Sequence, residues 1–232
     1  MIDENGIRLD GRGVNDLRPI RMEVSVLSQA NGSSFVQWGS NKVYAAVYGP
    51  REVKPRHLQD MTKATLRCFY NMAPFSVDDR KRPGPDRRSV EISKVTTEAI
   101  ASVVLSENFP NSMIDVFVEV VQADAGTRCT GIVAASLALA DAGIPMTDMV
   151  TACTGGKING QLVLDLAKEE DNRGDCDLPL ALSPRKNNVT LLQMDGNLTR
   201  EEFETLYDMV AEGAMKVYEM QKETMINKYK NE

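Results

Sequence analysis

The sequence predicts an α+β fold of duplicated β-α units, in which each sheet is covered by a helix on one side. Three observations support this prediction. Short segments alternate apolar and polar residues, as half-buried strands do, whereas longer segments repeat apolar residues at helical spacing. Strand-like and helix-like segments follow one another in two similar runs. No stretch rich in Gly, Ser or Pro separates independent units, so we expect one domain over residues 1–232.

The first third of the chain predicts an antiparallel sheet. Ile20, Met22 and Val24 alternate with polar residues, which is the pattern of a strand with one buried face. Asn31 and Gly32 then predict a tight turn. The predicted strands are residues 20–28, 34–39, 41–49 and 64–72.

The middle of the chain alternates helix and strand. Residues 89–105 carry apolar side chains at helical spacing, and residues 113–121 alternate as a strand. An Ala-rich helix follows at 126–143 and ends at Gly143 and Pro145. Because nearly all residues of this second helix are small, we expect it to be buried against a sheet.

The last third predicts a second group of strands and a long helix. The final helix, 199–229, opens with a capping box between Thr199 and Glu202. The segment TGGKING (154–160) lacks the GxxxxGK[ST] spacing of a P-loop, so it predicts a hairpin turn and no ATP site. The predicted strands here are residues 148–154, 161–166, 177–183 and 188–194.

The composition excludes several classes of protein. One histidine, His57, and the lack of a GxSxG motif disfavour zinc hydrolases and serine hydrolases. The four cysteines form no CxxC pair, so we expect reduced, mostly buried thiols. Residues 1–13 lack the apolar segment of a secretion signal, and no run of about 18 apolar residues occurs in the chain. We therefore expect a cytoplasmic protein that does not enter membranes.

The charge pattern favours local over general anion binding. A net charge of −6 argues against a protein that binds nucleic acid over its whole surface. The densest basic cluster lies between Arg80 and Arg88. Within it, Arg87 and Arg88 directly precede a predicted helix, whose free N–H groups carry partial positive charge, so this pair can bind phosphates. The alternative is a solvated pair that only aids solubility.

A second candidate anion site is QADAGTRC (122–129), which follows an apolar strand and opens the Ala-rich helix. Ala125 and Gly126 let a ligand approach the backbone, Thr127 offers a hydroxyl and an N–H, and Arg128 adds a bidentate charge. The alternative is an ordinary helix cap made by Asp124 or Thr127. An arginine in the first turn opposes the helix dipole, which favours a functional explanation.

The third candidate is LDLAKEEDNRGDCDLPL (164–180), which places six carboxylates between two apolar segments. If residues 172–174 form a hairpin turn, Asp171 and Asp177 come from its two arms, and Asp175 and Asp177 share one strand face. Carboxylates that are crowded together repel one another. The repulsion is relieved by a nearby cation, or by a raised pKa that keeps a proton on one of them. They can then hold Mg²⁺ or Mn²⁺, or one of them can serve as a general acid.

The alternative for this segment is a charged hairpin tip in water. That interpretation suits Glu169 and Glu170 well, and it suits Asp177 less well. Two anion-binding helix starts and an acid cluster together indicate phosphate chemistry on a polymer that carries phosphates.

These stretches, with LRPI (17–20), YGPRE (48–52), PRHL (55–58), MAPFS (72–76) and LADAGIP (139–145), resemble the RNase PH family. The resemblance runs from about Gly6 to the last helix. It implies the ribosomal protein S5 domain 2-like fold with duplicated β-α units. It also implies a phosphorolytic 3′ to 5′ exoribonuclease, in which inorganic phosphate is a co-substrate and a nucleoside diphosphate is released from RNA.

The resemblance also implies the roles of individual residues. It assigns phosphate binding to Gly126, Thr127 and Arg128. It assigns RNA binding to Arg87 and Arg88 and, more weakly, to Arg56.

Asp171 and Asp177 match the catalytic carboxylates of the family, which bind a metal ion, Mg²⁺ or Mn²⁺, or protonate the leaving 3′ oxygen. Two positions depart from the family pattern. Ala125 stands where many relatives have Gly, and Asp175 stands where Glu is usual, which leaves the role of Asp175 open.

Family members form six-membered rings around a pore through which RNA threads. In the archaeal exosome branch a catalytic subunit alternates with an inactive paralogue, and RNA-binding cap proteins cover the ring, so the resemblance implies these partners. The alternatives are a non-catalytic RNA-binding ring subunit and a stand-alone RNase PH that trims tRNA 3′ ends. Retention of Arg87, Arg88, Arg128, Asp171 and Asp177 counts against the non-catalytic alternative.

Overall fold

The structure is a computed structural model that describes residues 7–230. Gly6 and the two ends of the predicted domain 1–232 lie outside the described residues. The described chain forms two five-stranded sheets and three long helices, which confirms the α+β class. No helix in this part of the chain is both long enough and apolar enough to cross a membrane.

The first sheet contains the strands that the alternating pattern predicts: β1 (Ile20–Val24), β2 (Gly32–Trp38), β3 (Asn41–Glu52), β4 (Thr65–Met72) and β5 (Ser112–Gln122). Their order is β1-β2-β3-β5-β4. Only β4 and β5 are parallel, because the helix α1 (Arg87–Ala101) connects them. β1 stops short of residue 28, since Ser25 adopts a φ of 58° and its hydroxyl donates to Asp141 Oδ1 at 2.7 Å.

The second sheet is antiparallel throughout. It contains the four predicted strands: β6 (Thr151–Ile158), β7 (Gln161–Leu164), β8 (Cys176–Ser183) and β9 (Asn188–Leu192). It also contains a two-residue strand outside the predicted ranges, β10 (Asp195–Gly196). The order is β10-β8-β6-β7, and β9 also pairs with β8. The hairpin predicted at 154–160 joins β6 to β7. Its turn is confined to Asn159 and Gly160, because Thr154 to Ile158 belong to β6.

The predicted hairpin turn at 172–174 is wrong. Lys168–Arg173 form a short helix, α3, and Asp171 lies on it. The Ala167 N–H donates to Glu170 Oε2 at 2.7 Å, and the Asp171 N–H donates to Ala167 O at 2.8 Å. These two bonds close a helical turn, so the segment cannot extend into a strand arm.

The prediction that Asp175 and Asp177 share one strand face is also wrong. Asp175 is exposed and precedes β8, whereas Asp177 lies within that strand. Four alternate side chains of β8 are buried in the core: Cys176, Leu178, Leu180 and Leu182.

The three long helices lie between the two sheets. α1 packs on β4 and β9, and α4 (Arg200–Lys230) packs on β6, β8 and β1. The helix α2 (Thr127–Asp141) packs on β2, β3 and β6 and is buried along most of its length, as its small residues predict. The buried core is therefore continuous through α2 from one sheet to the other. All four cysteines are buried and free, as expected.

A close backbone contact fixes α2 against β2, and it provides a test of this packing. A Cβ atom on Gly32 would lie 2.2 Å from Ala142 N and 2.4 Å from Ala138 O. Because backbone atoms cannot move aside, we expect Gly32→Ala to lower the free energy of unfolding by about 2 to 3 kcal/mol. Urea denaturation measures this loss.

Gly160→Ala is the matched control. Gly160 has a φ of 78°, but nothing lies within 4 Å of a Cβ placed there. It should therefore cost only about 1 kcal/mol. Equal losses for the two variants would show that the contact between β2 and α2 does not limit stability.

Candidate active site

The residues of the three sequence motifs meet in one pocket of about 460 Å³, which we name the candidate pocket. It lies where α1 and α2 begin, against α3 and β8. Six of the predicted site residues line it: Arg88, Gly126, Thr127, Arg128, Asp171 and Asp177. Basic groups and carboxylates that are distant in sequence therefore converge at one place.

Two predicted residues lie outside the lining of the candidate pocket. Arg87 is the first residue of α1 and is exposed. Arg56 lies in a 3-10 turn, Arg56–Leu58, next to the amino end of β4, because Thr65 Oγ1 donates to Leu58 O at 2.7 Å. α1 runs antiparallel to β4 and begins, with the pocket, near the carboxyl end of that strand. One strand length, about 25 Å, therefore separates Arg56 from the pocket. Its contact with RNA stays a prediction.

The start of α2 presents backbone N–H groups that no side chain caps. Gly126 is the N-cap residue, with a φ of 74°, and Thr130 N makes the first helical bond to Gly126 O at 3.1 Å. The alternative of a cap by Asp124 or Thr127 is therefore wrong. The Asp124 carboxylate instead accepts from Lys168 N at 3.0 Å. The first turn of α2 is left with donors for an anion.

The start of α1 differs, because a carboxylate already caps it. Asp86 Oδ1 accepts from Ser89 N at 2.7 Å, and the Ser89 hydroxyl accepts from Asp86 N in return. The Ser89 N–H and the ammonium group of Lys81 lower the pKa of Asp86 to about 2. On this side of the pocket the positive charge therefore comes from the guanidinium of Arg88, and the helix amide groups add little.

Asp171 and Asp177 face the same pocket without a cationic partner. Neither makes an ion pair within 4 Å among residues 7–230. Burial raises the pKa of Asp177, and the negative charges of Asp171 and Asp195 raise it further, while Arg128 opposes them. Asp171 is partly open to solvent, but the atoms crowded around it also raise its pKa. Such carboxylates are suited to hold a cation or a proton.

Asp171 and Asp177 are the residues of the pocket that would hold a divalent ion. In the described chain no cluster of three or more His, Cys, Asp or Glu side chains is arranged to hold a metal ion. Mg²⁺ does not need one, because it commonly binds one or two carboxylates together with substrate phosphate oxygens and water. Two carboxylates without a cationic partner, beside a start of α2 that can hold a phosphate, match that pattern.

A buried ion pair positions the loop that precedes α2. Arg18 donates from Nε and Nη2 to Asp165 at 3.1 and 2.7 Å, and Trp38 Nε1 donates to the same carboxylate at 2.9 Å. Arg18 Nη2 also donates to Ala125 O at 3.1 Å, and Nη1 donates to Asp124 at 3.2 Å. The loop is thereby fixed to the end of β7.

A second buried ion pair positions α3. Arg8 binds both carboxylate oxygens of Glu170 and donates from Nη1 to Leu164 O at 2.6 Å. Glu170 is only 2% exposed, so the interpretation of this residue as part of a tip in water is wrong. The Glu169 side chain is 61% exposed, as expected, but it lies on α3 and not at a hairpin tip. The ion pair holds Asp171, the next residue after Glu170, at the pocket.

Sequence reasoning missed several residues of the pocket and its supports. Glu91, Thr154, Gln193 and Asp195 line the pocket. The last two follow strand β9 without any motif, so no local signal identifies them. The supporting pairs leave a weak signal, which is a single charged residue inside an apolar segment, as in LDL around Asp165.

Comparisons with known proteins agree with this arrangement. The RNase_PH family, described as "3' exoribonuclease family", matches with its domain 1 at residues 16–145 and with its domain 2 at residues 148–212. "Exosome complex component Rrp41" of Pyrococcus furiosus is 61% identical over 99% of this chain and 92% of that protein. The protein of that name from Thermoplasma volcanium is 53% identical over 100% of this chain and 94% of its own length.

A solved structure shares the fold. The crystal structure of rice (Oryza sativa) Rrp46 superposes with a TM-score of 0.85 at 24% identity, covering 94% of this chain and 99% of that one. This likeness supports the duplicated fold expected from the sequence.

Removal of Arg18 tests the support of the loop before α2. Arg18→Met keeps the length of the side chain but removes its guanidinium group. The buried Asp165 carboxylate then keeps the backbone N–H of residue 18, Trp38 Nε1 and an ion pair with Arg12 at 3.5 Å. Loss of one member of a buried pair typically costs about 3 to 5 kcal/mol, and because Arg12 still offsets the charge we expect a loss at the lower end of this range, about 3 kcal/mol, in urea denaturation. Arg21→Met, at a side chain that is 70% exposed, is the control and should change little. Equal effects would contradict a supporting role for Arg18.

The raised pKa of Asp177 predicts how stability depends on pH. The proton that Asp177 holds in the folded state contributes stability that is complete below the unfolded pKa of about 4 and is lost as pH rises through the raised folded value. Asp177→Asn removes this loss, so its Tm should exceed that of the wild type by an amount that grows from about pH 4 until the pH passes the raised folded pKa of Asp177.

Calorimetry in buffer that contains EDTA measures both proteins free of metal. Asp79→Asn, at an exposed loop position, is the control for loss of one negative charge. A difference in Tm between Asp177→Asn and the wild type that stays constant across this range would contradict the prediction.

Proposed function

Because the chain belongs to the RNase PH family of 3′ exoribonucleases, we propose that it is the catalytic subunit of an archaeal exosome. It degrades RNA from the 3′ end by phosphorolysis and releases nucleoside diphosphates. One observation carries this proposal. The candidate pocket combines an uncapped helix start, two arginines and two carboxylates that lack cationic partners. Relatives that are 53% to 61% identical are named exosome components, which supports the assignment.

The reaction joins two anions, and the pocket has the charges that this requires. An oxygen of inorganic phosphate attacks the terminal phosphorus, the bond from phosphorus to the 3′ oxygen of the preceding ribose breaks, and that oxygen takes up a proton. Arg88 and Arg128 offset the repulsion between the attacking and the attacked phosphate. Since the start of α2 is held by the fold and Arg128 is paired with Glu91, these groups need little reorganisation during the reaction.

The phosphate nucleophile is proposed to bind at the start of α2. The N–H groups of Thr127 and Arg128 point out of the first turn, where they donate to phosphate oxygens and the helix dipole favours negative charge. Glycine at position 126 leaves the approach to these N–H groups open. A Cβ atom there would lie 3.3 Å from the side chain of Thr154, which also lines the pocket, and would occupy the space between them. Arg88 and Arg87 bind the RNA backbone on the side of α1.

The leaving oxygen is proposed to face Asp171 and Asp177. These are the carboxylates that would hold Mg²⁺ or Mn²⁺, which supplies positive charge to the leaving oxygen when bound. If no metal ion is bound, Asp177 donates a proton to the leaving oxygen and neutralises it in that way. In either case the pair acts at the opposite side of the scissile bond from the phosphate at α2.

We further propose that the chain works in the cytoplasm in a hexameric ring with an inactive RNase PH-like paralogue, capped by RNA-binding proteins. A ring with a local basic lining reconciles RNA binding with the net charge of −6. Arg56 lies about one strand length from the pocket, so it would contact RNA upstream of the 3′ end.

Incubation with 3′-labelled RNA and phosphate, with and without the paralogue, tests the proposal. We expect phosphate-dependent release of labelled nucleoside diphosphate that requires or is increased by the paralogue. Full activity of the chain alone on tRNA ends would favour a stand-alone trimming enzyme. No nucleoside diphosphate under either condition would leave a scaffold that only binds RNA.

Asp177→Asn tests the role of the carboxylate. We expect the turnover number to fall at least about a hundredfold, the loss typical of a missing acid or base. RNA affinity, measured by fluorescence anisotropy, and Tm should not fall, because Asp177 makes no ion pair within the described chain. Asp79→Asn again serves as the control. Parallel losses of turnover, RNA affinity and Tm would count against the assignment.

A further inference from the structure

Glu91 connects three elements at the edge of the candidate pocket. It lies one helical turn after Arg88 on α1, so both side chains are on the same face of the helix. Glu91 Oε1 accepts from Arg128 Nη2 of α2 at 3.2 Å and from Gln193 Nε2, which follows β9, at 3.1 Å. A single carboxylate oxygen therefore joins α1, α2 and the second sheet.

Arg128 depends on this contact for its orientation. The ion pair with Glu91 is its only one among residues 7–230, and the Nε atom is buried without a hydrogen-bond partner. Its place in the first turn of α2 is electrostatically unfavourable, because the positive end of the helix dipole lies there. Without Glu91, repulsion from the helix start would move the guanidinium away from the pocket by rotation about the side-chain torsions of Arg128.

Gln193 fixes the carboxylate in turn. A carboxylate can only accept, so the hydrogen bond assigns Nε2 of Gln193 as the donor and orients its amide. Glu91 is 45% exposed, and without this second bond its side chain would be free to rotate into solvent. With two donors on one oxygen, the carboxylate stays where Arg128 needs it.

The charge of Glu91 is unfavourable for a pocket that binds anions. Asp171 and Asp177 already place negative charge there, and a further carboxylate repels phosphate. The Glu91 carboxylate increases phosphate affinity only if its effect on the orientation of Arg128 outweighs that repulsion. This gives two opposite expectations for its removal. Phosphate affinity falls if Glu91 orients Arg128, and it rises if Glu91 only adds charge.

We propose that Glu91 is a positioning residue that holds the Arg128 guanidinium in the orientation in which it binds the attacking phosphate. It touches neither phosphate nor RNA and acts through Arg128. The inference rests on the proposed function, because it concerns the phosphate of that reaction.

A double-mutant cycle in the full-length chain, assembled with its ring partner, tests this inference. Phosphate KM, RNA KM and kcat are measured for the wild type, Glu91→Ala, Arg128→Ala and the double variant. We expect Glu91→Ala to raise phosphate KM about tenfold, the order of one charge-assisted hydrogen bond, with RNA KM unchanged. Arg128→Ala should raise phosphate KM at least as much, and in that background Glu91→Ala should add no further increase.

Two further variants separate positioning from charge and from folding. Glu91→Gln keeps an oxygen that accepts from Arg128 and removes the negative charge, so its phosphate KM should be close to or below that of the wild type. Glu98→Ala is the matched control on α1, because Glu98 is 64% exposed and pairs only with Lys94 among the described residues. It should leave phosphate KM unchanged, and Tm should be similar for all of these variants.

Two results would overturn the inference. A decrease in phosphate KM for Glu91→Ala would show that the carboxylate only repels the anion. An equal increase in the presence and absence of Arg128 would show that it does not act through that residue. Failure of the proposed function would look different, since the wild type itself would then release no nucleoside diphosphate. Calorimetric titration of the wild type and Glu91→Ala with inorganic phosphate gives the affinity without turnover.

Discussion

The buried carboxylate of Asp165 is the constraint on which the arrangement of the pocket depends. A charge without exposure to water must be paired and hydrogen-bonded, and here Arg18 and Trp38 supply the donors. Arg18 comes from the segment before β1, Trp38 from the end of β2 and Asp165 from the end of β7. Satisfying this one carboxylate therefore brings the two sheets together at the edge where α2 begins. The same arginine reaches Ala125, so the position of the helix start follows from the pairing.

The acids near the pocket divide into two groups by their partners. Asp165 and Glu170 are buried and paired with arginines, and they act as structural supports. Asp171 and Asp177 lie a short distance away without ion pairs among the described residues, and their pKa values are raised. Folding alone would favour pairing these charges as well. Their unpaired state is the kind of local instability that marks a chemical role, because a cation or a proton is needed to relieve it.

The periodic segments could be predicted from sequence, whereas the contacts between distant segments could not. The alternation in β1 and the small residues of α2 reflect burial of one face or of all faces, and burial leaves a pattern in the chain itself. The motif GTR at the start of α2 likewise combines a glycine with an arginine in an unfavourable place. In contrast, the sequence around Glu170 looks like a solvated turn, and its burial depends on a partner that is 162 residues away, Arg8. Gln193 reaches the pocket for a similar reason, through the pairing of β9 with β8.

The pocket draws its arginines and helix start from the first half of the chain, and Asp171 and Asp177 from the second. The continuous core beneath it does not involve the side chains of Asp171 and Asp177. A duplicated gene can therefore lose Asp171 and Asp177 by mutation and still encode a stable protein. Such a copy would keep the basic surface while losing the chemistry. Because the two halves of the chain supply different groups to the pocket, few mutations separate an enzyme from an inactive relative with the same fold.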